Sequence, residues 1–231
     1  MSAENTNLAR PENEPAVAAT LRRSPGEIWR ERWEFLWAFL RAPGRVGAIW
    51  PSSSALTREM LAGCRLDRAR LVVELGPGTG VFTREILRAA DARTRIVALE
   101  LDARAVARLR RNFPRVEVHH DSAEAILRYV AQTGLAHADC VISGLPWASM
   151  PAALQDRIMH NVVAALGPGR VFTTFAYQHA RSTPAGRRYR RLLETLFGEV
   201  HVSRIIWSNV PPAVVYRCEK PAEKAGRARG V

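Results

Sequence analysis

The chain has 231 residues, with 34 basic and 22 acidic side chains and a formal net charge of +12. That length suits one α/β domain with a short extension, and the charge points to an anionic partner, either nucleic acid or a membrane surface. Arginine supplies nearly all the basic charge (Lys220 and Lys224 are the lysines), so composition accounts for part of it. Cys64, Cys140 and Cys218 are odd in number, widely spaced and lack CxxC or Cys/His patterns, so reduced core cysteines of a cytosolic protein are expected and no structural metal is implied. No apolar run reaches the ~18 residues of a membrane span, and residues 1–20 are too polar for a signal peptide.

Residues 1–23 are poor in large apolar side chains and are expected to be a disordered tail. Ser24, Pro25 and Glu27 then give a helix start: a cap, a first-turn proline and a capping-box acid. The helix is expected to run to about Arg41, before Pro43 and Gly44. Winding it at roughly 100° per residue spreads Ile28, Trp29, Trp33, Phe35, Leu36, Trp37, Phe39 and Leu40 over an apolar arc of roughly 200°. Arg22, Arg23, Arg30, Arg41 and Arg45 lie around these aromatic residues, and Arg32 sits within the apolar arc. Such a helix fits a membrane interface through Trp29, Arg30, Trp33, Leu36, Trp37 and Leu40, or else a core or dimer contact. A second helix is expected over about Ala55–Ala62 after Ser52, Ser53 and Ser54.

The chain is organised around Leu71–Gly80. Leu71 to Leu75 reads as a buried parallel strand, Gly76, Gly78 and Gly80 as a turn, and Val81–Leu87 as a helix. Strand two is Arg95–Glu100, ending in an acid that suits two ribose hydroxyls. A helix over Ala103–Asn112 follows. Val116–His120 is strand three, with Asp121, Ser122 and Ala123 just beyond it. Ala138–Gly144 is strand four, running into Leu145, Pro146 and Trp147. A helix over Pro151–Leu166 ends at Gly167-Pro168-Gly169, and Arg170–Gln178 is strand five. After a basic helix, Arg187–Phe197, the segments Glu199–Trp207 and Val214–Lys220 form an antiparallel closing pair. The expected architecture is a Rossmann-like α/β fold over residues 63–220. Its seven-stranded sheet is mostly parallel with an antiparallel last strand. N-terminal helices at 24–62 precede it and a basic tail at 221–231 follows.

The pattern Glu74-x-Gly76-x-Gly78-x-Gly80 resembles the first motif of class I S-adenosylmethionine-dependent methyltransferases. A carboxylate there would repel a pyrophosphate but complements a sulfonium and an α-ammonium. The resemblance implies cofactor contacts by Glu74, Gly76, Gly78, Gly80, Glu100, Leu101, Asp121 (to the adenine amino group), Ser122, Ala123, Ser143, Gly144 and Leu145. The lid helix would add Ser52 and Ser53, which serve equally well as helix caps. Residues 24–220 look like the bacterial phospholipid N-methyltransferases. The resemblance is carried by the aromatic N-terminal helix, Ile49–Ser53, Val73–Gly80, Ser143–Pro146 and Asn209–Tyr216.

That resemblance implies stepwise methylation of phosphatidylethanolamine toward phosphatidylcholine, with S-adenosylhomocysteine as by-product and no metal. The protein would be cytoplasmic and peripheral on the inner face of the cell membrane, preferring anionic surfaces. Aromatic faces such as Trp147 and Tyr177 would hold the ammonium. Tyr177 could donate to a lipid phosphate and His179 accept the amine proton. Asp139, Ser143 and Tyr216 stand as substitute proton acceptors.

Three other readings remain. The segment Ser143–Trp147 is similar to the Asn-Leu-Pro-Tyr segment of rRNA adenine dimethyltransferases, but its Asn is missing, which argues against an adenine base. A soluble small-molecule methyltransferase would leave the aromatic helix unexplained. A membrane-bound, non-enzymatic cofactor-binding module is the third.

Overall fold

A computed structural model describes residues 53–222. The expectations for the 1–23 tail, the membrane residues Trp29, Arg30, Trp33, Leu36, Trp37 and Leu40, the cofactor contact Ser52 and most of the basic tail lie outside that range. Within it, helix α1 (Ser54–Leu61) precedes β1 (Leu71–Leu75), α2 (Val81–Ala89), β2 (Arg95–Glu100), α3 (Ala103–Asn112) and β3 (Glu117–His120). A short 3-10 turn then leads into α4 (Ile126–Gln132) and β4 (Ala138–Ser143). A second such turn at Trp147–Ser149 precedes α5 (Ala152–Ala165), β5 (Leu166–Tyr177), the single turn α6 (Gln178–Arg181) and α7 (Pro184–Leu196). Strands β6 (Glu199–Val202) and β7 (Ala213–Glu219) end the fold.

The strands form one seven-stranded sheet in the order β3-β2-β1-β4-β5-β7-β6. Strand β1 pairs in parallel with both β2 and β4, while β7 runs antiparallel to β5 and β6. Every residue of β1 is buried, as a strand covered on both faces must be. One face packs against Leu56 and Met60 of α1, Phe82 and Ile86 of α2, and Val106 and Leu109 of α3. The other receives Ile126, Ile158, Met159, Val162 and Leu193, from α4, α5 and α7. Cys64, Cys140 and Cys218 are all buried and free, as small core residues.

The basic helix starts at Pro184 rather than Arg187, and two strand boundaries differ further from expectation. Gly167-Pro168-Gly169 does not close the preceding helix as a free loop but lies within β5. There the pairing jumps from Ala138↔Leu166 to Cys140↔Val171, so residues 167–170 bulge out of the ladder, with Gly169 at φ +66°. Strand β6 stops at Val202 rather than Trp207; beyond it the chain still bonds β7 through Ser203 at Val215, and Ile206 bridges Ala213. Among the described residues no helix is long and apolar enough to cross a membrane.

Candidate active site

Because β1 to β5 are parallel, the segments that follow them meet at one edge of the sheet. Strand β1 lies between β2 and β4, so the crevice opens where the strand order reverses. The glycine turn fills this crevice with backbone alone. Gly76, Gly78 and Gly80 all have positive φ, at 69°, 55° and 84°. Gly76 N–H donates to Leu99 O at 2.9 Å, and Gly144 N–H donates to Leu75 O at 2.8 Å. A Cβ on Gly144 would lie 2.7 Å from Gly76 O, and one on Gly76 would lie 2.7 Å from Leu145 Cδ2.

Two carboxyl groups lie beside this turn. Glu74 is buried, and its Oε2 accepts from the Thr83 hydroxyl at 2.7 Å. Its Oε1 accepts no hydrogen bond among the described residues. Burial, and secondarily the nearby Glu100 charge, pushes its pKa from the ordinary 4.5 up to about 8. Glu74 is therefore a largely neutral acid until a cation comes near it. Glu100, at the end of β2, accepts from Gly78 N–H and Asp102 N–H, both at 2.9 Å. The first ties the glycine turn to β2, and the second orders the link from β2 into α3. Arg108 of α3 adds a hydrogen bond to Gly78 O at 2.9 Å, a support that nothing in the sequence pattern flags.

Beyond β2, Leu101 is 41% exposed, which leaves an apolar surface at the crevice edge. Asp121 is anchored rather than loose. It accepts from Ser122 N–H at 2.7 Å, from the Tyr129 hydroxyl at 2.9 Å and from the Arg128 guanidinium. Tyr129 also stacks on His119 with ring centroids 3.9 Å apart, and burial lowers the His119 pKa. Ser122 caps the following 3-10 turn through Glu124 N–H, and Ala123 is buried there.

The structure corrects several expected roles. Trp147 is 2% exposed, so it offers no open face to an ammonium. Its ring stacks on Tyr189 at 5.0 Å and meets Phe172 edge-on at 6.2 Å. Its Nε1–H donates to Ser143 Oγ at 3.1 Å. The Ser143 hydroxyl, fully buried, thereby holds the indole and also accepts from Leu145 N–H at 3.3 Å. Its side chain is engaged in those two bonds, and Leu145 packs over Gly76.

Nor do Tyr177 and Trp147 share a pocket. Trp147 meets Phe172, whereas Tyr177 meets Phe175 at 5.6 Å, and residues 172 and 175 point to opposite faces of β5. Tyr177 does pair with His179, their rings stacked at 5.8 Å. Burial raises the Tyr177 phenol, which keeps it a donor. Ser53 acts as the α1 cap: its hydroxyl accepts from Leu56 N–H at 3.1 Å. Its own N–H donates to Oδ1 of buried Asn209 at 3.1 Å, a tie between α1 and the β6–β7 loop that sequence reading missed.

The substitute proton acceptors also fall away. Asp139, at the start of β4 on the opposite edge of the sheet, accepts from Arg70 N–H and Leu71 N–H. Tyr216 is buried, its hydroxyl accepting from Arg181 Nε–H at 3.4 Å. Among the described residues no cluster of three or more His, Cys, Asp or Glu is arranged to hold a metal ion.

The Ser143 network can be tested directly. Ser143→Ala leaves the buried Trp147 N–H without its acceptor, and is expected to cost about 1–3 kcal/mol of stability. Urea unfolding of the variant measures it, and an unchanged midpoint would mean that the indole finds another partner.

A parallel sheet with a reversed last strand, a glycine cradle at its switch point and acids at the ends of β1 and β2 define a nucleoside-binding α/β class. Residues 72–169 match the methyltransferase domain family. The ornithine lipid N-methyltransferase of Singulisphaera acidiphila is 30% identical over 189 residues, covering 80% of this chain and 93% of that protein. Ribosomal RNA small subunit methyltransferase A of Thermosynechococcus vestitus is 36% identical over 74 residues, only 32% of this chain and 27% of that one. An O-methyltransferase from Bacillus cereus, solved with S-adenosylhomocysteine, superposes with a TM-score of 0.60 at 16% identity, covering 88% of this chain and 95% of that one. The chain belongs to the class I S-adenosylmethionine-dependent methyltransferases. S-adenosylmethionine supplies the electrophilic methyl group, and the buried, unpartnered Glu74 oxygen beside a cradle that tolerates no Cβ fits a cationic cofactor held close to backbone.

Proposed function

We propose that this chain methylates the amine of a membrane lipid headgroup: phosphatidylethanolamine and its partly methylated intermediates, toward phosphatidylcholine. It does so as a peripheral protein on the cytoplasmic face of an anionic membrane. The reading is carried by the alignment with a lipid N-methyltransferase, which extends well beyond the cofactor half of the chain. Ornithine lipid, named by that relative, is the neighbouring substrate, since it also presents an amine. In this reading Glu100 holds the ribose, Leu101 and Asp121 border the adenine, and Glu74 balances the cationic end of the cofactor.

The substrate amine is protonated in water, and with a lysine-like pKa its deprotonation near neutral pH costs roughly 4–5 kcal/mol. A proton acceptor therefore belongs near it. With Trp147 buried and Asp139 on the far edge, Tyr177 and His179 are the groups left at the end of β5. Tyr177 donates to the headgroup anion, and the His179 imidazole takes the amine proton directly or through water.

The test is incubation of the full chain with cofactor and vesicles of phosphatidylethanolamine, ornithine lipid or neither, with an RNA arm in parallel. Mass analysis is expected to find successive methyl additions on the phosphatidylethanolamine amine. Tyr177→Phe and His179→Ala should each slow this at least about tenfold, or about 1.4 kcal/mol of barrier, without altering cofactor affinity. Methylation confined to ornithine lipid would move the substrate assignment, and methylation confined to RNA would sink the lipid reading.

A further inference from the structure

Among the described residues the large apolar side chains left exposed are Leu101, Leu127, Trp207 and Val210, at 41%, 41%, 71% and 57%. The two most exposed sit in one loop, between β6 and β7. That loop is not loose. Ile206 N–H donates to Ala213 O at 2.8 Å and closes its base, and Asn209 N–H donates to Ile206 O at 3.2 Å. Asn209 turns inward, 5% exposed, donating to Pro211 O at 2.7 Å and accepting from Ser53 N–H at 3.1 Å. The loop is thus inside out. Its amide side chain is buried and bonded, while its indole, its valine and Pro211 face solvent. A folded loop in water gains nothing from this arrangement.

Position and charge select the partner. Ala213 pairs with Tyr177, the last residue of β5, and Gln178 N–H donates to Pro212 O at 2.8 Å. The loop therefore stands at the sheet edge where the active site opens. From Ser203 to Pro212 there is no acid, and Arg204 is exposed. The neighbouring stretch from Tyr177 to Arg191 also has no acid and carries Arg181, Arg187 and Arg191, besides Arg188 and Arg190, which pair with Asp156 and Glu194. An exposed indole and valine in an acid-free loop with exposed Arg204, and Arg181 on the adjoining turn, match the interfacial region of an anionic bilayer, where an aromatic ring sits at headgroup level and cations meet lipid phosphates.

We infer that the 203–212 loop is a membrane anchor, inserting Trp207 and Val210 into an anionic lipid interface beside the active-site opening. The choice of a bilayer as partner rests on the lipid reading above. The anchor itself is read without methyl transfer.

The test uses the full chain on vesicles of phosphatidylglycerol and phosphatidylcholine with acyl chains brominated near the headgroup. The chain has six tryptophans, so the Trp207 signal is the difference between wild type and Trp207→Phe. That difference is expected to be quenched by brominated lipid. Trp207→Ser combined with Val210→Ser should weaken vesicle partition by roughly tenfold or more, with cofactor affinity and thermal midpoint unchanged. An unquenched Trp207 component overturns the inference, as it would if the loop instead docked a protein. Quenching with no lipid methylation would keep the anchor and remove the substrate assignment. Lipid methylation without quenching would do the reverse.

Discussion

Gly144→Ala is expected to weaken S-adenosylmethionine binding at least about a hundredfold, some 2.7 kcal/mol, and to slow methyl transfer accordingly. The added methyl carbon would sit 2.7 Å from Gly76 O, which belongs to backbone and not to a side chain that can swing aside. Neither partner can retreat cheaply. Gly76 is bonded to β2 through Leu99 O, and Gly144 to β1 through Leu75 O. Separating them means opening the β1–β4 pairing at Leu75↔Ser143, directly beneath the cofactor cradle. Calorimetry with S-adenosylmethionine and a thermal melt separate the two consequences. Loss of binding with a modest drop in midpoint is the expected pair, and wild-type affinity would mean that the pairing of β1 and β4 at this point gives way more easily than its geometry implies.

Glycine spacing made the cradle legible in the sequence, because a turn needing positive φ at three alternate positions leaves a pattern that chance seldom writes. The strands were legible too, since apolar runs bounded by turn residues alternate with helical periods from Leu71 onward. Side-chain direction after a strand was not. Parity along β5 fixes which face Phe172 and Phe175 occupy, but Trp147 follows β4 in a 3-10 turn where period-two reasoning has lapsed. An indole beside a glycine-proline turn reads equally as a ligand platform or as core. The Ser143 hydroxyl, four residues earlier, decides for core by accepting its N–H.

Supports that act across long sequence separations were equally hidden. Asn209 holds the cap of α1, and Arg108 holds Gly78 O. Both are polar residues on ordinary-looking segments, and only the folded chain brings them to their partners. The inverted polarity of the 203–212 loop escaped for the same reason. The sequence placed Trp207 in a strand, where an aromatic residue attracts no notice, but the strand ends at Val202.

Glu74→Gln is expected to stabilise the cofactor-free protein at alkaline pH. The carboxyl is raised from 4.5 to about 8, chiefly by burial, so the folded chain keeps its proton where the unfolded chain has lost it. Between those two values the folded state binds more protons, and stability falls as pH rises by up to about 1.4 kcal/mol per unit. The contribution is fully present below pH 4.5 and is lost as pH climbs through 8. Glutamine resembles the protonated acid, can still accept from Thr83, and does not titrate. Wild type and variant should therefore match near pH 4.5 and diverge toward pH 8, the variant ahead by on the order of 4 kcal/mol. Urea unfolding across that range, read as the difference between the two proteins, cancels every other titrating group. A difference that stays flat with pH would mean that Glu74 is ionised throughout. The same proton should then appear on binding. A sulfonium and an ammonium near the unpartnered Oε1 favour the carboxylate, so wild type should release a proton on taking up S-adenosylmethionine at neutral pH and Glu74→Gln should not. Calorimetry in buffers of differing ionisation enthalpy measures that release. Equal release by both proteins would detach Glu74 from the cationic end of the cofactor.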